Sequence, residues 1–284
     1  GMSSTFTLLW QRFSVLLKTV LTLLVCFSSV NVFAALDSLT PRVKAHEAFV
    51  GSETCGQCHQ AELKQWQTSH HAKAMMKPTA ANVLGDFDNK KVNFNDVTTR
   101  FTTSEDGYFI TTKNAANKTE TFKVSYTFGY TPLQQYLIDI GDGKLQAFDV
   151  AWDSRPTSEG GQRWFKLLPD EDTGPTSPFH WTRQAQNWNS RCADCHSTKL
   201  DKGYDPVYQR YNTTFTEVNV ACESCHGAGS QHVNYFEHNY VNRLAAFLNS
   251  NLRGEPSAYI ANAPKLPAGQ DLSVCARCHG ADIA

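Results

Sequence analysis

Apolar and polar residues alternate most regularly over residues 91–152, where β-branched and aromatic side chains are frequent. A period of two residues between turn signals is typical of antiparallel strands. The predicted elements are a hairpin over 100–113 turning at Asp106-Gly107, a strand over 120–128, and a hairpin over 133–152 turning around Gly141-Asp142-Gly143. This stretch contains neither Cys nor His. We interpret it as a small scaffold subdomain; a docking or substrate-access surface is the alternative.

Helical periodicity occurs on both sides of this stretch. In residues 61–76, Leu63, Trp66 and His70 recur at helical spacing, and Pro78 ends the pattern. Residues 234–252 predict an amphipathic helix, followed by a proline-containing linker. Residues 155–189 are rich in Gly, Pro and Trp and predict an irregular segment. Short helices and loops are therefore expected around the predicted sheet.

The N-terminal residues 1–35 have the pattern of a secretory signal peptide. Arg12 and Lys18 precede an eight-residue apolar core over 20–27, and Val32-Phe33-Ala34 resembles a cleavage site. The apolar core is short for a membrane span, so an uncleaved N-terminal membrane anchor is the less favoured alternative. An exported protein is expected.

Eight of the nine cysteines lie in four copies of the pattern Cys-x-x-Cys-His. The cysteine pairs are Cys55 and Cys58, Cys192 and Cys195, Cys222 and Cys225, and Cys275 and Cys278; the histidines are His59, His196, His226 and His279. This spacing lets two sulfurs form thioethers to one haem while the adjacent His becomes the proximal iron ligand. Zinc ribbons and redox disulfides also use Cys-x-x-Cys, but neither needs a His after every pair. Four covalent haems c are predicted.

Charge narrows the range of partners. The net charge is −1, and removal of a signal peptide containing Arg12 and Lys18 would make the chain more acidic. An acidic chain is a poor partner for nucleic acid. The sequence instead predicts redox protein partners, such as a quinol dehydrogenase or a terminal reductase, in the periplasm.

Several sequence segments resemble bacterial multihaem c-type cytochromes of the cytochrome c554 group, including relatives with tetratricopeptide repeats. The resembling segments are FVGSETCGQCHQAELKQWQTSHHAKAM, VLGDF, YTFGYTPLQQYL, LQAFDVAWDSRP, GGQRWFKL, HWTRQAQNWNSRCADCHST and VNVACESCHGAGSQHV, within residues 49–233. The resemblance implies electron transfer through closely packed haems with mostly two His ligands each. It implies distal ligands at His71 and His232, with His180 as a further candidate. Relatives commonly continue beyond the point where this chain stops.

Together these patterns predict an α+β multihaem cytochrome c fold of haem-packed helices and irregular loops with an inserted antiparallel β-subdomain. The predicted divisions are a signal peptide over 1–35, a first haem segment over 36–90, the β-subdomain over 91–152, and a segment with three haems over 153–284. A tetrahaem electron carrier is the favoured function. The alternative is a reductase or oxidase of a small nitrogen or sulfur compound, with one haem open to substrate.

The two distal-ligand candidates are expected to serve haems attached elsewhere in the chain. On a continuous helix, His71 would lie roughly 18 Å along the axis from His59, too far to return to the same haem. His232 follows His226 after two glycines, which let the chain turn away. Ligation across motifs would tie distant parts of the chain together.

Overall fold

A computed structural model describes residues 48–237, 241, 244, 248, 260 and 270–280. The predicted signal peptide, His46, His238, the proline-containing linker and most of the predicted helix over 234–252 lie outside the described residues. The described chain is rich in β-sheet, and its helices are few and short.

Seven α-helices are described. They are α1 Ser52–Gly56, α2 Gln60–Thr68, α3 Trp188–Arg191, α4 Ala193–His196, α5 Cys222–His226, α6 Ser230–Glu237 and α7 Gln270–His279. Each of the four motifs contributes residues to one of these helices. None of the described helices is long and apolar enough to cross a membrane.

The strands form one nine-stranded antiparallel sheet and a separate two-stranded ribbon. The strands of the sheet are β1 Met75–Met76, β2 Lys90–Phe94, β3 Val97–Ser104, β4 Gly107–Lys113, β5 Thr119–Phe128, β6 Leu133–Asp139, β7 Leu145–Ala147, β8 Val150–Asp153 and β9 Arg163–Lys166. Their order is β2-β3-β4-β5-β6-β8-β9, with β1 beside β5 and β7 beside β6. The ribbon pairs β10 Tyr204–Asp205 with β11 Arg210–Tyr211.

Both predicted hairpins and the predicted strand between them are confirmed, but the first turn lies one residue before the predicted Asp106-Gly107. Strands β3 and β4 pair from Ser104 and Gly107 outward, so the chain turns at Glu105-Asp106. Strand β5 covers the predicted strand, and β6 pairs with β7 across a turn that contains Gly141 and Gly143 at positive φ. These turns were predictable because each depends on only a few adjacent residues.

The sheet is larger than the predicted subdomain and is strongly curled. Strands β1 and β9 lie outside residues 91–152, and their two and four residues are too few to show a period in the sequence. The rings of Phe101 in β3 and Trp164 in β9 stack with centroids 3.6 Å apart. In a flat sheet these strands, five steps apart, would be separated by roughly 24 Å. The curl therefore brings the two ends of the sheet together around a shared core.

The helix predicted over residues 61–76 ends early. Helix α2 ends at Thr68, and Ser69 adopts an extended conformation in which its N–H donates to the Trp66 carbonyl. Residues 70–74 form turns, and Met75–Met76 joins the sheet as β1. The prediction that His71 continues the helix is wrong. The segment pairs with β5 instead, a long-range contact that the helical spacing of residues 63–70 does not reveal.

Candidate haem-attachment site

The attachment region comprises residues 48–74, 193–237 and 270–280. In it, the first and third motifs lie side by side. Ser52 Oγ in α1 lies 3.3 Å from Cys222 Sγ. The Cys55 thiol also hydrogen-bonds with Cys222, which lowers the pKa of Cys222 to about 6 and raises the pKa of Cys55. The first cysteines of two motifs that are distant in sequence are thus in direct contact.

The second and fourth motifs are neighbours through their second cysteines. Cys195 hydrogen-bonds with Cys278, and burial together with this contact raises the pKa of Cys278 to about 11. Cys195 Sγ also lies 3.8 Å from the Arg277 carbonyl oxygen. Cys225 of the third motif interacts electrostatically with Cys275 of the fourth. The first motif therefore adjoins the third, and the second adjoins the fourth; Thr198, just after the second motif, also hydrogen-bonds with Ser224 of the third at 2.7 Å.

Two histidine pairs join the motifs to the predicted distal positions. The rings of His59 and His232 are stacked with centroids 6.2 Å apart and planes inclined by 28°. The rings of His71 and His279 have centroids 6.1 Å apart and are inclined by 58°. Imidazole nitrogens lie about 2 Å from a bound metal ion, so two rings on opposite sides of one iron have centroids roughly 6 Å apart. The centroid separations of both pairs match the separation expected for two imidazoles that ligate one iron.

Hydrogen bonds fix the turn that carries His71 beside the segment that precedes the third motif. The turn after α2 is held against the segment before the third motif, because Val220 N–H donates to the His71 carbonyl at 3.3 Å. Asn219 Nδ2 donates to the Ala72 carbonyl at 2.9 Å, and Trp66 Nε1 donates to the Val220 carbonyl at 2.8 Å. Sequence reasoning missed Asn219, because an isolated asparagine before a motif carries no signal of this contact.

His196 has the environment of a proximal ligand. Its Nδ1 lies 3.4 Å from the Ala74 carbonyl oxygen, so an Nδ1–H would leave Nε2 free to bind a metal. Burial lowers the pKa of His196 and favours the neutral imidazole that ligates. Phe128 contacts the ring with centroids 4.5 Å apart. Within the described part of the chain, no second imidazole pairs with this ring.

His180 lies in a different part of the molecule. It is 3% exposed and lines a cavity of about 110 Å³ together with Lys166, Asp149 and Trp181. Burial lowers its pKa, and its Nδ1 lies 2.8 Å from Thr182 Oγ1. Among the described residues, the ring contacts Trp181 but no motif histidine. Its role as a haem ligand stays a prediction.

The tryptophan and arginine residues near the motifs have protein partners. Trp164 and Trp181 belong to the core of the sheet, and the fully buried Trp188 packs in a second cluster with Met75, Leu137, Ala147 and Ala193. Arg155 Nη2 lies 2.6 Å from Asp153 Oδ2, and this contact lowers the pKa of Asp153 to about 2. The sequence left open whether such residues contact haem or form ordinary core and surface contacts.

Two carboxylates that the sequence did not single out support the first and third motifs. Glu217 accepts hydrogen bonds from the N–H and hydroxyl of Ser52, at 3.2 and 3.1 Å. Glu223 is 2% exposed and accepts three backbone N–H groups. An acidic residue inside a Cys-x-x-Cys pair looks solvent-exposed in sequence, so only the fold reveals these roles. Over residues 48–237 and 270–280, no cluster of three or more Cys, His, Asp or Glu side chains could hold a metal ion alone.

Adjacent Cys-x-x-Cys-His motifs, with histidine rings at the separation that suits an iron, define a multihaem c-type cytochrome. The family model for cytochrome c554 and c-prime matches residues 54–122 and 172–227, which include the first three motifs. The chain is thus similar to the multihaem c-type cytochromes of the cytochrome c554 group. Proteins of this class carry covalent haem c and transfer electrons.

Two solved structures are similar at low identity. The outer cell wall cytochrome OcwA aligns with a TM-score of 0.44 and 18% identity, covering 76% of this chain and 36% of its own. The undecaheme cytochrome from the S-layer of Carboxydothermus ferrireducens aligns with a TM-score of 0.43 and 19% identity, covering 88% and 28%. The chain therefore spans about a third of the length of these proteins. No curated protein matches the chain significantly.

Proposed function

We propose that the chain is an exported electron carrier with four covalent haems, one at each Cys-x-x-Cys-His motif. The observation that carries the proposal is the pair of histidine contacts, each joining a motif histidine to a predicted distal ligand at about 6 Å. Each haem, when bound, supplies an iron that cycles between the ferric and ferrous states. The residues of the chain hold the irons and control their environment.

In this proposal the first haem has His59 and His232 as axial ligands, and the fourth has His279 and His71. His196 and His226 are the proximal ligands of the second and third haems. The chain keeps His196 neutral by burial and orients it through the Ala74 carbonyl. Two histidines per iron favour the low-spin state and leave no position for substrate, as suits electron transfer.

The cysteine contacts support a connected series of attachment sites. The first site adjoins the third through Cys55 and Cys222, and the fourth adjoins the second through Cys278 and Cys195. The electrostatic contact between Cys225 and Cys275 joins these two pairs. A partner at one end of the series would donate electrons and a partner at the other end would accept them. Redox proteins such as a quinol dehydrogenase and a terminal reductase are the proposed partners.

The proposed location is the periplasm. A signal-peptide pattern over residues 1–35 and four thioether motifs support export, because attachment of haem c in bacteria follows secretion. Membrane association through an uncleaved N-terminus is the alternative. A fractionation experiment distinguishes the two: cleavage near Ala34 should release the protein in the soluble periplasmic fraction, whereas a retained N-terminus should keep it with membranes.

The second candidate function is reduction or oxidation of a small nitrogen or sulfur compound at the second haem. It is favoured by the environment of His196, which within the described residues contacts Phe128 rather than another imidazole. An iron without a second protein ligand could bind a small molecule. In this case the oxidised protein would contain one high-spin haem, and a candidate substrate would shift its spectrum.

Haem content and ligation test the proposal directly. A pyridine haemochrome assay should give four haems per chain, and a value of two would overturn the proposal. His71→Ala and His232→Ala should each convert one low-spin haem to high spin in the EPR spectrum and open it to carbon monoxide. His70→Ala is the matched control, since His70 is the exposed neighbour of His71. Wild-type spectra for both variants would overturn the assigned ligands.

A further inference from the structure

Glu223 lies between the two cysteines of the third motif and is 2% exposed. Acidic side chains are almost never this buried unless their carboxylates are fully paired. Within residues 48–237 and 270–280, none of the ion pairs involves Glu223. The burial must therefore be compensated by hydrogen bonds.

Three backbone N–H groups satisfy this carboxylate. Gly229 N donates to Oε1 at 2.7 Å, and Gly51 N donates to Oε2 at 2.9 Å. Val50 N lies 3.0 Å from both oxygens. An ionised carboxylate accepts such bonds strongly, whereas an amide would bring its own N–H₂ donors against some of them.

The donors stand at the starts of two separate helices. Val50 and Gly51 immediately precede α1, which contains Cys55 and leads to His59. Gly229 immediately precedes α6, which carries His232. One side chain thus connects the two segments whose histidine rings lie 6.2 Å apart. It does so from within the third motif, which adjoins the first.

The backbone at Gly51 and Gly229 allows the two helix starts to come close to the Glu223 carboxylate. Gly51 has a φ of +85°, which favours glycine. A Cβ at Gly229 would lie 3.2 Å from both Glu223 Oε1 and Val50 Cγ2, tighter than ordinary contacts. The start of α6 is also tied to the N-terminal segment, because Ser230 N donates to the Ala48 carbonyl at 3.1 Å. The two helix starts therefore form one rigid junction centred on the carboxylate.

We propose that Glu223 is a positioning residue for the first haem, setting the separation of His59 and His232 through the two helix starts. The inference rests on the proposed ligation of this haem by these two histidines. Its negative charge, which lacks an ion-pair partner within the described residues, also favours the ferric iron nearby and lowers the midpoint potential. The position of the Glu223 carboxylate affects the ligation of the first haem, and its charge affects the midpoint potential. Two variants separate these effects.

Glu223→Asp keeps the charge but is one methylene shorter, so it cannot reach all three N–H groups. It should convert one haem from low spin to high spin in the ferric EPR spectrum and allow that haem to bind carbon monoxide when reduced. Added imidazole should restore the low-spin signal, because it replaces a displaced His232. Glu223→Gln keeps the length and loses the charge. It should raise the midpoint potential of one haem and give a smaller high-spin fraction than the aspartate variant.

Asp194→Asn is the matched control, since Asp194 lies inside the second motif but is 64% exposed and pairs with Lys202 on the surface. It should leave all spectra unchanged. A Glu223→Asp protein with a wild-type spectrum, or with the same change at every haem, would overturn the positioning role. If the Glu223→Asp protein does not retain four haems, the midpoint potential and spin state of the Glu223→Gln protein test the inference instead. An effect of His232→Ala without any effect of the Glu223 variants would overturn only this inference; no effect of His232→Ala would overturn the ligation itself.

Discussion

In the curled sheet, eleven buried residues form one apolar cluster, which includes Phe101, Tyr136 and Trp164. In the attachment region, the buried apolar residues among those described are Ala72, Ala193, Ala221 and Tyr235. Helix α2 has no buried residue at all. The sheet contains enough large side chains to exclude water by itself. The attachment region does not, and we infer that porphyrin rings provide most of its missing apolar surface.

The largest expected effect comes from removing a haem. Changing Cys222 and Cys225 to Ser should prevent attachment at the third site and take away the apolar surface around which α5 and α6 pack. Hydrogen exchange should then accelerate over 48–68 and 222–237, while residues 97–113 and 133–153 in the sheet keep their protection. Equal loss of protection in both regions would show that the sheet also depends on haem.

The converse test perturbs the sheet and leaves the attachment region intact. It uses a buried ion pair. Lys166 Nζ lies 2.6 Å from Asp149 Oδ2, with side chains 12% and 3% exposed. Lys166→Met would leave Asp149 buried without its partner and should destabilise the fold by about 3–5 kcal/mol. Chemical denaturation followed by tryptophan fluorescence measures this change, while the haem spectrum should stay unchanged.

The control for this variant is an exposed pair in the same sheet. Lys90 Nζ lies 3.8 Å from Asp86, with side chains 52% and 37% exposed. Lys90→Met should change stability by no more than about 1 kcal/mol, because water screens the interaction. Equal effects of the two lysine variants, or a shift of any haem to high spin, would contradict the comparison.

The smallest expected effect concerns the turn between β2 and β3. Asn95 and Asp96 have φ values of 50° and 62°, as in a turn that favours Asn-Gly. Asp96→Gly should stabilise the protein by about 0.5 kcal/mol by relieving the positive φ. Asp106→Gly makes the same substitution at the next hairpin, where no positive φ is relieved. It should be neutral or destabilise the protein by up to about 1 kcal/mol. Thermal unfolding of both variants at identical haem content measures these changes. A more stable Asp106→Gly than Asp96→Gly protein would contradict the turn assignment.

The sequence predicted more of the sheet than of the attachment region, and the reason is physical. The hairpins predicted to turn at Asp106-Gly107 and around Gly141–Gly143 were found, the first turning one residue earlier, because turn residues and alternation act over short distances. The end of α2 at Thr68 was missed, because no glycine or proline lies between Thr68 and Met75 and the strand pairing of Met75 with Phe128 is long-range. In the attachment region, local spacing alone predicts the attachment cysteines and proximal histidines, and these assignments stay predictions.

The spatial arrangement of the motifs was beyond sequence reasoning. The contact of the first motif with the third, and of the second with the fourth, depends on how the intervening chain folds. Glu223 was missed for the same reason, since its three donors come from two other segments. The resemblance to the cytochrome c554 group suggested His71 and His232 as distal ligands, but the identity of their ring partners required the fold.

The junction at Glu223 can form only after segments far apart in the chain have both been synthesised. Its hydrogen bond to Gly51 joins residues 172 positions apart in the chain. At synthesis rates of roughly 5–20 residues per second, Gly51 and His59 are made about ten to thirty seconds before Glu223 and His232. A chain exported from its N-terminus would thus present its first attachment site long before the segment that completes it. The inserted sheet accounts for much of this delay, and any lengthening of its loops would prolong it.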